Sequence, residues 1–555
     1  MNYLLLKISH AFNLSQTFGL ALFIILNIQL FVFSQQPTQE WLVRWPPSSP
    51  ANSGGNSIKL DNSGYIYVLA DTGLSFGFLK YNQNGDLLFY ASHWPAGSWT
   101  AGGGSFFDIT PSGDVYILGN VNIDLDYWIY IVKFNTNGVF QWGKLYNYDT
   151  RDDPNGILID NSGNVVVIGR ASRGNAGFAL TIKYNPNGDT LWTRYFNNGQ
   201  PSAGNDRIVI DGTNSVYTVG FLDPLPGKTL IMKYSPTGNL IWFQTFTLDV
   251  VRSNLGRGIT LDGNGNVYVI GTQIRPQSQT DTYILKLNSN GDTLWSRSYP
   301  NFGSGNNSLW GPIVSSNNNE IYYTESVRGG GLRYDIATLK YDSTGVLLWD
   351  KIYSGWPQSS EGLNLPLKIK LDRYNNIYVC GTGYYETTTN DFITLKYLPS
   401  GTLQWVARYT GLVTNGHDQA VDLFIDTNLN LIVTGFSRKT INTNFDAVTI
   451  KYSQPIGIIS GNGQLPNEFK LEQNYPNPFN GTTIINYQLP RESEVNLDVF
   501  NAIGQNIKTV VNGKQQAGYY SIALNFQNLP SGVYFYQLIA VDNEIIETRK
   551  MILSK

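Results

Sequence analysis

The sequence predicts an all-β chain, and three observations carry that prediction. A unit built around one lysine recurs eight times along the chain. Its apolar runs are too short for helices and are separated by turns rich in Asn, Gly and Asp. The C-terminal part loses the unit but keeps short runs that alternate apolar and polar residues, the period of half-buried strands. Composition agrees: aromatic residues reach 14%, while charged residues are 14% of the 555 positions, against about 25% in ordinary globular chains. Such a chain buries much surface with few ion pairs. The net charge of −3 comes without a basic run, which argues against a phosphate-binding face for nucleic acid.

The first element is a targeting segment. Lys7 and His10 precede an apolar run from Phe18 to Phe33, and polar sequence starts at Ser34-Gln35-Gln36-Pro37. Residues 1–34 read as a secretory signal peptide cleaved between Ser34 and Gln35, with Val32 and Ser34 as the smaller residues before the cut. An uncleaved anchor is the alternative, and the run is slightly short for a full span. No other segment approaches a span, so no membrane crossing is expected after signal removal. The single cysteine, in Tyr378-Val379-Cys380-Gly381, reads as a small core residue of a strand.

The repeat occupies residues 38–453. Its anchor is a lysine followed by an aromatic residue or Leu, with Gly five positions on and Trp nine positions on, as in the runs from Lys183 to Trp192, Lys233 to Trp242, Lys286 to Trp295, Lys340 to Trp349 and Lys396 to Trp405. Lys80 and Lys133 open two more copies, and Phe89 replaces the tryptophan of the first. Successive lysines are 53, 50, 50, 53, 54, 56 and 55 residues apart, a length that suits four short strands, and such a period denotes propeller blades. The eighth lysine, Lys451, has no tryptophan after it. Trp41-Leu42-Val43-Arg44-Trp45 matches Trp405-Val406-Ala407-Arg408-Tyr409, so an N-terminal strand is expected to complete the eighth blade, leaving no large exposed edge. Each unit also carries an apolar strand ending in Asp, a tight turn such as Asn161-Ser162-Gly163-Asn164, and a second strand closing on Gly.

These units resemble the short bacterial β-propeller repeats of secreted proteins (SBBP-like) and the quinoprotein-like eight-bladed propellers, whose blades end in a docking motif similar to Thr344-Gly345-Val346-Leu347-Leu348-Trp349. The resemblance implies a fold and no activity.

Residues 454–464, with Pro455, Gly457, Gly461 and Gly463 among them, read as a linker. In residues 465–555, Ile485–Leu489, Val495–Val499 and Val533–Leu538 alternate with period two, which predicts a small antiparallel Ig-like β-sandwich. Tyr475-Pro476-Asn477-Pro478-Phe479-Asn480, the turn at Gly504, Ala517-Gly518-Tyr519-Tyr520, Ser531-Gly532-Val533-Tyr534 and a final segment from Lys550 follow one another in the order of the type IX secretion sorting domain (Por secretion tail), which this region resembles. Gly481 stands where that family usually has Pro. The resemblance implies passage through the periplasm to a secreted or surface location, with the type IX machinery as the partner of residues 465–555.

Catalytic signatures are sparse. His93 and His417 are the histidines outside the signal segment, and neither belongs to a zinc motif. His417-Asp418 lacks the nucleophile elbow of a hydrolase. Asp262-Gly263-Asn264-Gly265-Asn266 opens like a calcium loop but continues with Val267 and Gln273 where Gly and Glu belong, and reads as a hairpin turn. Gly227-Lys228-Thr229 lacks the rest of a P-loop. The eight lysines read as packing residues whose stems cover apolar surface, with Asp281, Asp335, Asp391 and Asp446, each five residues before its lysine, as partners. No cofactor or metal is expected. The reading is a non-catalytic exported binding or adhesion module for a glycan or a surface protein, with Trp94, Trp99 and Trp356 in aromatic loops as the contact residues. The alternatives are a polysaccharide lyase or glycosidase, a quinoprotein-like oxidoreductase, and a structural surface-layer protein.

Overall fold

The computed structural model describes residues 36–554 apart from several internal segments, chiefly 46–53, 72–74, 96–101, 275–279, 300–311, 356–360, 386–388, 440–444, 459–467 and 541–544. The signal segment, with Ser34 and Gln35, lies outside the described residues. Among the described residues there is no helix, and none therefore long and apolar enough to cross a membrane.

Residues 38–453 form eight sheets, numbered here 1 to 8 in chain order, each built on four antiparallel strands that are sequential in all but sheet 8. Their first strands are Gly54–Leu60, Gly102–Ile109, Asp153–Ile159, Ala203–Ile210, Asn254–Leu261, Ile313–Ser315, Leu365–Leu371 and Asp418–Ile425. Sheet 8 takes its fourth strand from the N-terminus: Thr38–Trp45 pairs antiparallel with Phe445–Ser453, placing Trp41 opposite Lys451. That register is the one found within the other sheets, where Lys183 faces Trp192 and Lys340 faces Trp349. The tryptophan missing after Lys451 is thus supplied by Trp41.

The sheets pack face to face in sequence, and the eighth packs on the first. Eight apolar clusters fill the gaps between neighbours. The one joining sheets 8 and 1 contains Ile432, Ala447 and Trp45 together with Ile58, Val68 and Leu79. Cys380 is fully buried in the cluster between sheets 7 and 8. Because both faces of the inner strands are covered, their sequences are apolar without strict alternation. The first strands contact one another in turn and form the inner ring.

The repeat motif explains how the sheets lock. The indole N–H of Trp192 donates to the Pro236 carbonyl at 3.1 Å, and the Lys183 ammonium donates to the same carbonyl at 3.3 Å. Trp142 with Lys133 on Pro186, and Trp295 with Lys286 on Ser343, repeat the arrangement. The carbonyl always belongs to the turn of the next sheet. Five residues after each lysine the turn needs Gly for two reasons, seen at Gly238: its φ is +83°, and a Cβ there would lie 2.6 Å from the Trp192 ring.

The lysines find partners other than the expected ones. Lys183 pairs with Asp160 at 2.7 Å, Lys133 with Asp114 at 3.0 Å and Lys340 with Glu320 at 2.9 Å, all acids of the hairpin between first and second strands. Asp335, Asp391 and Asp446 pair with Arg333, Arg408 and Arg44. The reason is the strand period: residues five apart point to opposite faces of a sheet, so an aspartate at that spacing cannot reach its lysine.

Sheet 6 departs from the pattern. Its first strand is only Ile313–Ser315, and Glu361–Leu363 adds a parallel strand to Leu332–Tyr341. In sheet 7, a Cβ on Gly381 would meet the Leu365 carbonyl at 1.9 Å. Sheet 6 carries Glu325 at that register.

Two further four-stranded sheets follow. One contains Ile456–Ile458, Gly518–Asn525, Thr482–Leu489 and Lys470–Leu471; the other contains Asn506–Gln515, Ser493–Asn501, Gly532–Ala540 and Ile545–Leu553. Between them lies one core that includes Leu471, Phe479, Tyr487, Leu497, Tyr536 and Met551. Ile456–Ile458 falls in the stretch read as linker, yet it pairs with Tyr519–Ser521. Gln454, at the start of the same stretch, is buried and receives the Lys396 ammonium at 2.9 Å.

Candidate binding face

The two ends of the eight-sheet array differ in kind. At one end lie the turn between first and second strands and the turn between third and fourth, both stereotyped. The Asp160 carboxylate accepts the amides of Ser162 and Asn164, and Asp262 treats Asn264 and Asn266 likewise while receiving the Tyr268 hydroxyl. Asp262 therefore closes a hairpin, as its sequence predicts. Burial alone would raise the Asp160 carboxyl, but Lys183 and Asn164 hold it below the usual carboxylate range.

The antiparallel order puts the remaining connections, from second to third strand and from each fourth strand to the next first strand, at the opposite end. Here no two sheets are alike. Trp94 follows strand Leu87–His93 and is 38% exposed. Trp99 and Trp356 lie outside the described residues. His93 stacks on Phe140 at a ring distance of 3.9 Å and meets the Tyr130 hydroxyl at 3.1 Å. Tyr148 stacks on the 39% exposed Tyr195 at 4.3 Å, and Tyr146 donates to the Tyr195 hydroxyl.

A cleft of about 470 Å³ opens on this side between sheets 3 and 4, lined in part by Asn198, Gln200, Asp223, Lys228, Phe243 and Asp249. This lies within the usual range of ligand sites, about 300–1,000 Å³. Asp249 is committed to its own loop, accepting the Val251 and Arg252 amides and the Gln273 side chain. Among the described residues, the Asp223 carboxylate and the Lys228 ammonium have no hydrogen-bond or ion-pair partner. The cleft thus offers a free acceptor, a free donor, amide side chains and one aromatic ring. Lys228 was read from sequence only as part of a broken P-loop; the cleft has no signal in sequence, because its lining comes from the loop after sheet 3 and from separate segments of sheet 4 and the loop beyond it.

His417 faces Phe436 and Phe445 edge-on, and burial lowers its basicity. Asp418 accepts the backbone amides of Gly411 and Arg438. The pair therefore clamps a loop and makes no proton relay. The acids Asp108, Asp206 and Asp422 of the inner strands are each ion-paired, with Lys59, Arg257 and Lys368. Burial is the largest influence on Asp206 and raises its carboxyl, against the pull of Arg257 and Arg207.

In the C-terminal sheets, Phe479 is buried in the core, its amide donates to the Ile552 carbonyl and its own carbonyl receives the Ser554 amide. Asn477 accepts the Ile552 amide and donates to the Lys550 carbonyl. Tyr475, by contrast, is 76% exposed. Gly504 closes a turn on Asn501 with φ of +81°. The Tyr475–Asn480 run and the final segment from Lys550, distant in sequence, are therefore one tied structure.

Residues 473–554 match the family model of the secretion system C-terminal sorting domain. The chain carries a type IX sorting domain. Its destination is the cell surface or the extracellular space, and the type IX machinery handles the sorting domain. No curated protein matches the sequence. Among solved structures, PorZ, described as an essential bacterial surface component of the type IX secretion system of Porphyromonas gingivalis, is 10% identical over 90% of this chain and 81% of its own, with a TM-score of 0.28. A polysaccharide lyase of the PL25 ulvan lyase family is 13% identical over 61% of this chain and 90% of its own, at 0.41. Sqt1 from Chaetomium thermophilum is 9% identical over 75% of this chain and all of its own, at 0.44.

Proposed function

We propose that residues 38–453 are an eight-bladed β-propeller and residues 465–555 an Ig-like sandwich, and that the propeller is an exported, non-catalytic binding module whose variable end takes a glycan or a surface protein. The observation that carries this reading is the contrast between the two ends. One end repeats the same Lys, Trp, Asp and Gly contacts from sheet to sheet and so serves assembly. The other places different loops, exposed aromatic rings and an open cleft on a rigid frame, the usual arrangement of a recognition surface. Trp94, Trp99 and Trp356 are the proposed contact residues, because aromatic faces stack on sugars and anchor protein partners without added charge.

The test is binding of the full chain to polysaccharides and to intact cells, compared with the triple variant Trp94→Ala, Trp99→Ala, Trp356→Ala and with Asp223→Asn. Loss of at least tenfold in affinity with an unchanged melting temperature is the expected result. Unchanged binding in all variants would remove the variable end from consideration.

A further inference from the structure

The inner ring gathers charges that the variable end does not use. Lys59, Asp108 and Lys370 occupy one register of their first strands, opposite Tyr67, Tyr116 and Tyr378 of the second strands. The same register in the other sheets holds Leu158, Val209, Thr260, Val314 and Phe424. At this register charge is therefore confined to one arc, made by sheets 1, 2 and 7, and Lys368 of sheet 7 and Asp422 of sheet 8 join it; Asp206, Arg207 and Arg257, also charged residues of the ring, lie on sheets 4 and 5.

Matching donors to acceptors within this arc leaves one ammonium over. Asp108 receives Lys59 at 2.8 Å on one oxygen and the Ile159 amide at 2.9 Å on the other. Asp422 receives Lys368 at 3.3 Å and the Leu423 amide at 2.9 Å on one oxygen, and the Ser57 hydroxyl at 2.6 Å and the Ile58 amide at 3.2 Å on the other. Each oxygen of both acids already holds a partner. Lys370 reaches water, yet among the described residues its ammonium has no hydrogen-bond or ion-pair partner.

Its surroundings also oppose its charge. Crowding by the surrounding strands, then the Lys368 and Lys59 cations, push the Lys370 ammonium down to about 8, against the pull of Asp422 and Asp108. The exposed Lys370 ammonium is hydrated, but with Lys368 two residues before it on its strand and Lys59 at the same register of sheet 1 it has no carboxylate of its own among the described residues.

We propose that Lys370, with Lys59 and Lys368 beside it, is an oxyanion site on the inner ring that takes the carboxylate, sulfate or phosphate group of a small ligand. An oxyanion brings acceptors to donors that the protein leaves unmatched and relieves the repulsion among three cations. A neutral ligand brings acceptors but no compensating charge. Because Lys370 stands two residues before the hairpin acid Asp372, the site lies toward the stereotyped end and is independent of the ligand taken at the variable end.

The experiment is a titration of the full chain with sodium sulfate against sodium chloride at constant ionic strength, followed by melting temperature and calorimetry, with phosphate and acetate as further arms to identify the group preferred. Saturable sulfate binding is expected, weakened at least tenfold in Lys370→Gln and unchanged in Lys508→Gln, a change at an exposed lysine of the C-terminal sheets. Sulfate also stabilises proteins non-specifically by exclusion from their surface. A stabilisation that never saturates and is equal in wild type and Lys370→Gln would overturn the proposal. If Lys370→Gln does not fold, Lys370→Arg keeps the charge and must retain saturable binding; absence of saturable binding to all three anions in the wild type overturns the site.

Discussion

Replacing Gly238 by alanine tests the reasoning about how the sheets lock. Gly238 has φ of +83°, and a Cβ would stand 2.6 Å from Cδ2 and 2.7 Å from Cγ of Trp192, a ring only 7% exposed and held by its hydrogen bond to the Pro236 carbonyl. Two separate terms follow. A left-handed conformation costs an L-residue about 1–2 kcal/mol, and forcing a methyl group into a packed site costs about 1–3 kcal/mol, for a sum of roughly 2–5 kcal/mol. Gly199 separates them, because its φ is +73° while nothing lies within 4 Å of its Cβ position. Gly199→Ala is expected to lose only the conformational term, about 1–2 kcal/mol. The assay is urea unfolding followed by tryptophan fluorescence. All 13 tryptophans lie between Trp41 and Trp405, so the signal reports the eight-sheet array and not the sorting domain. The midpoint should fall with little change in slope, the signature of altered stability rather than altered compactness. If Gly238→Ala loses no more than Gly199→Ala, the tryptophan is not seated on the glycine and the locking argument fails.

Three other outcomes are expected. Lys183→Met leaves Asp160 buried without its cation and should cost about 3 kcal/mol, near the lower bound for breaking a buried pair, because Asp160 keeps the Ser162 and Asn164 amides. Since Asp160 titrates below its unfolded value, its contribution is lost as pH falls, and the gap between wild type and variant should narrow below about pH 4 in the same urea assay. Glu325 is fully buried, and burial followed by Asp281 raises its carboxyl from 4.5 to about 8, against the Thr282 hydroxyl. The unfolded chain releases this proton first, so stability falls as pH rises from about 4.5 to about 8; Glu325→Gln should abolish that slope, and a slope unchanged between pH 5 and 8 would count against a protonated Glu325. Deleting residues 465–555 should leave the remaining protein folded but retained in the periplasm, measured by fractionation and immunoblotting; recovery from the medium at wild-type yield would contradict the assigned role of the sorting domain.

The repeated features were legible in sequence because each is encoded locally and eight times. The lysine spacing marks the third strand and its turn, the glycine marks a positive φ, and the tryptophan marks the fourth strand. Even the pairing of the N-terminal strand with Phe445–Ser453 was readable, since Trp41 to Trp45 repeats the pattern that Lys451 lacks. The lysine partners were misread where spacing along the chain was used without the strand period: a residue five positions away lies on the wrong face, while the hairpin acid lies one or two strands away on the right one. Trp94 was identifiable as an exposed aromatic residue; its neighbours across the sheet, and the cleft between sheets 3 and 4, were not.

Sequence alone therefore determined the all-β class, the eight units, the closure by the N-terminal strand and the sorting domain with its destination. Only the tertiary structure decided which charges are matched. Lys370, Glu325 and Asp223 carry no motif, and nothing near them in sequence distinguishes them from other strand or loop residues. Their character comes from groups distant in sequence: Asp422 and Asp108 already engaged beside Lys370, Thr282 and Asp281 of sheet 5 around Glu325, and Phe243 of the fourth strand of sheet 4 in the cleft with Asp223. A repeat reports what every unit shares, whereas a binding site arises where the units differ and converge, and that convergence exists only once the chain is folded.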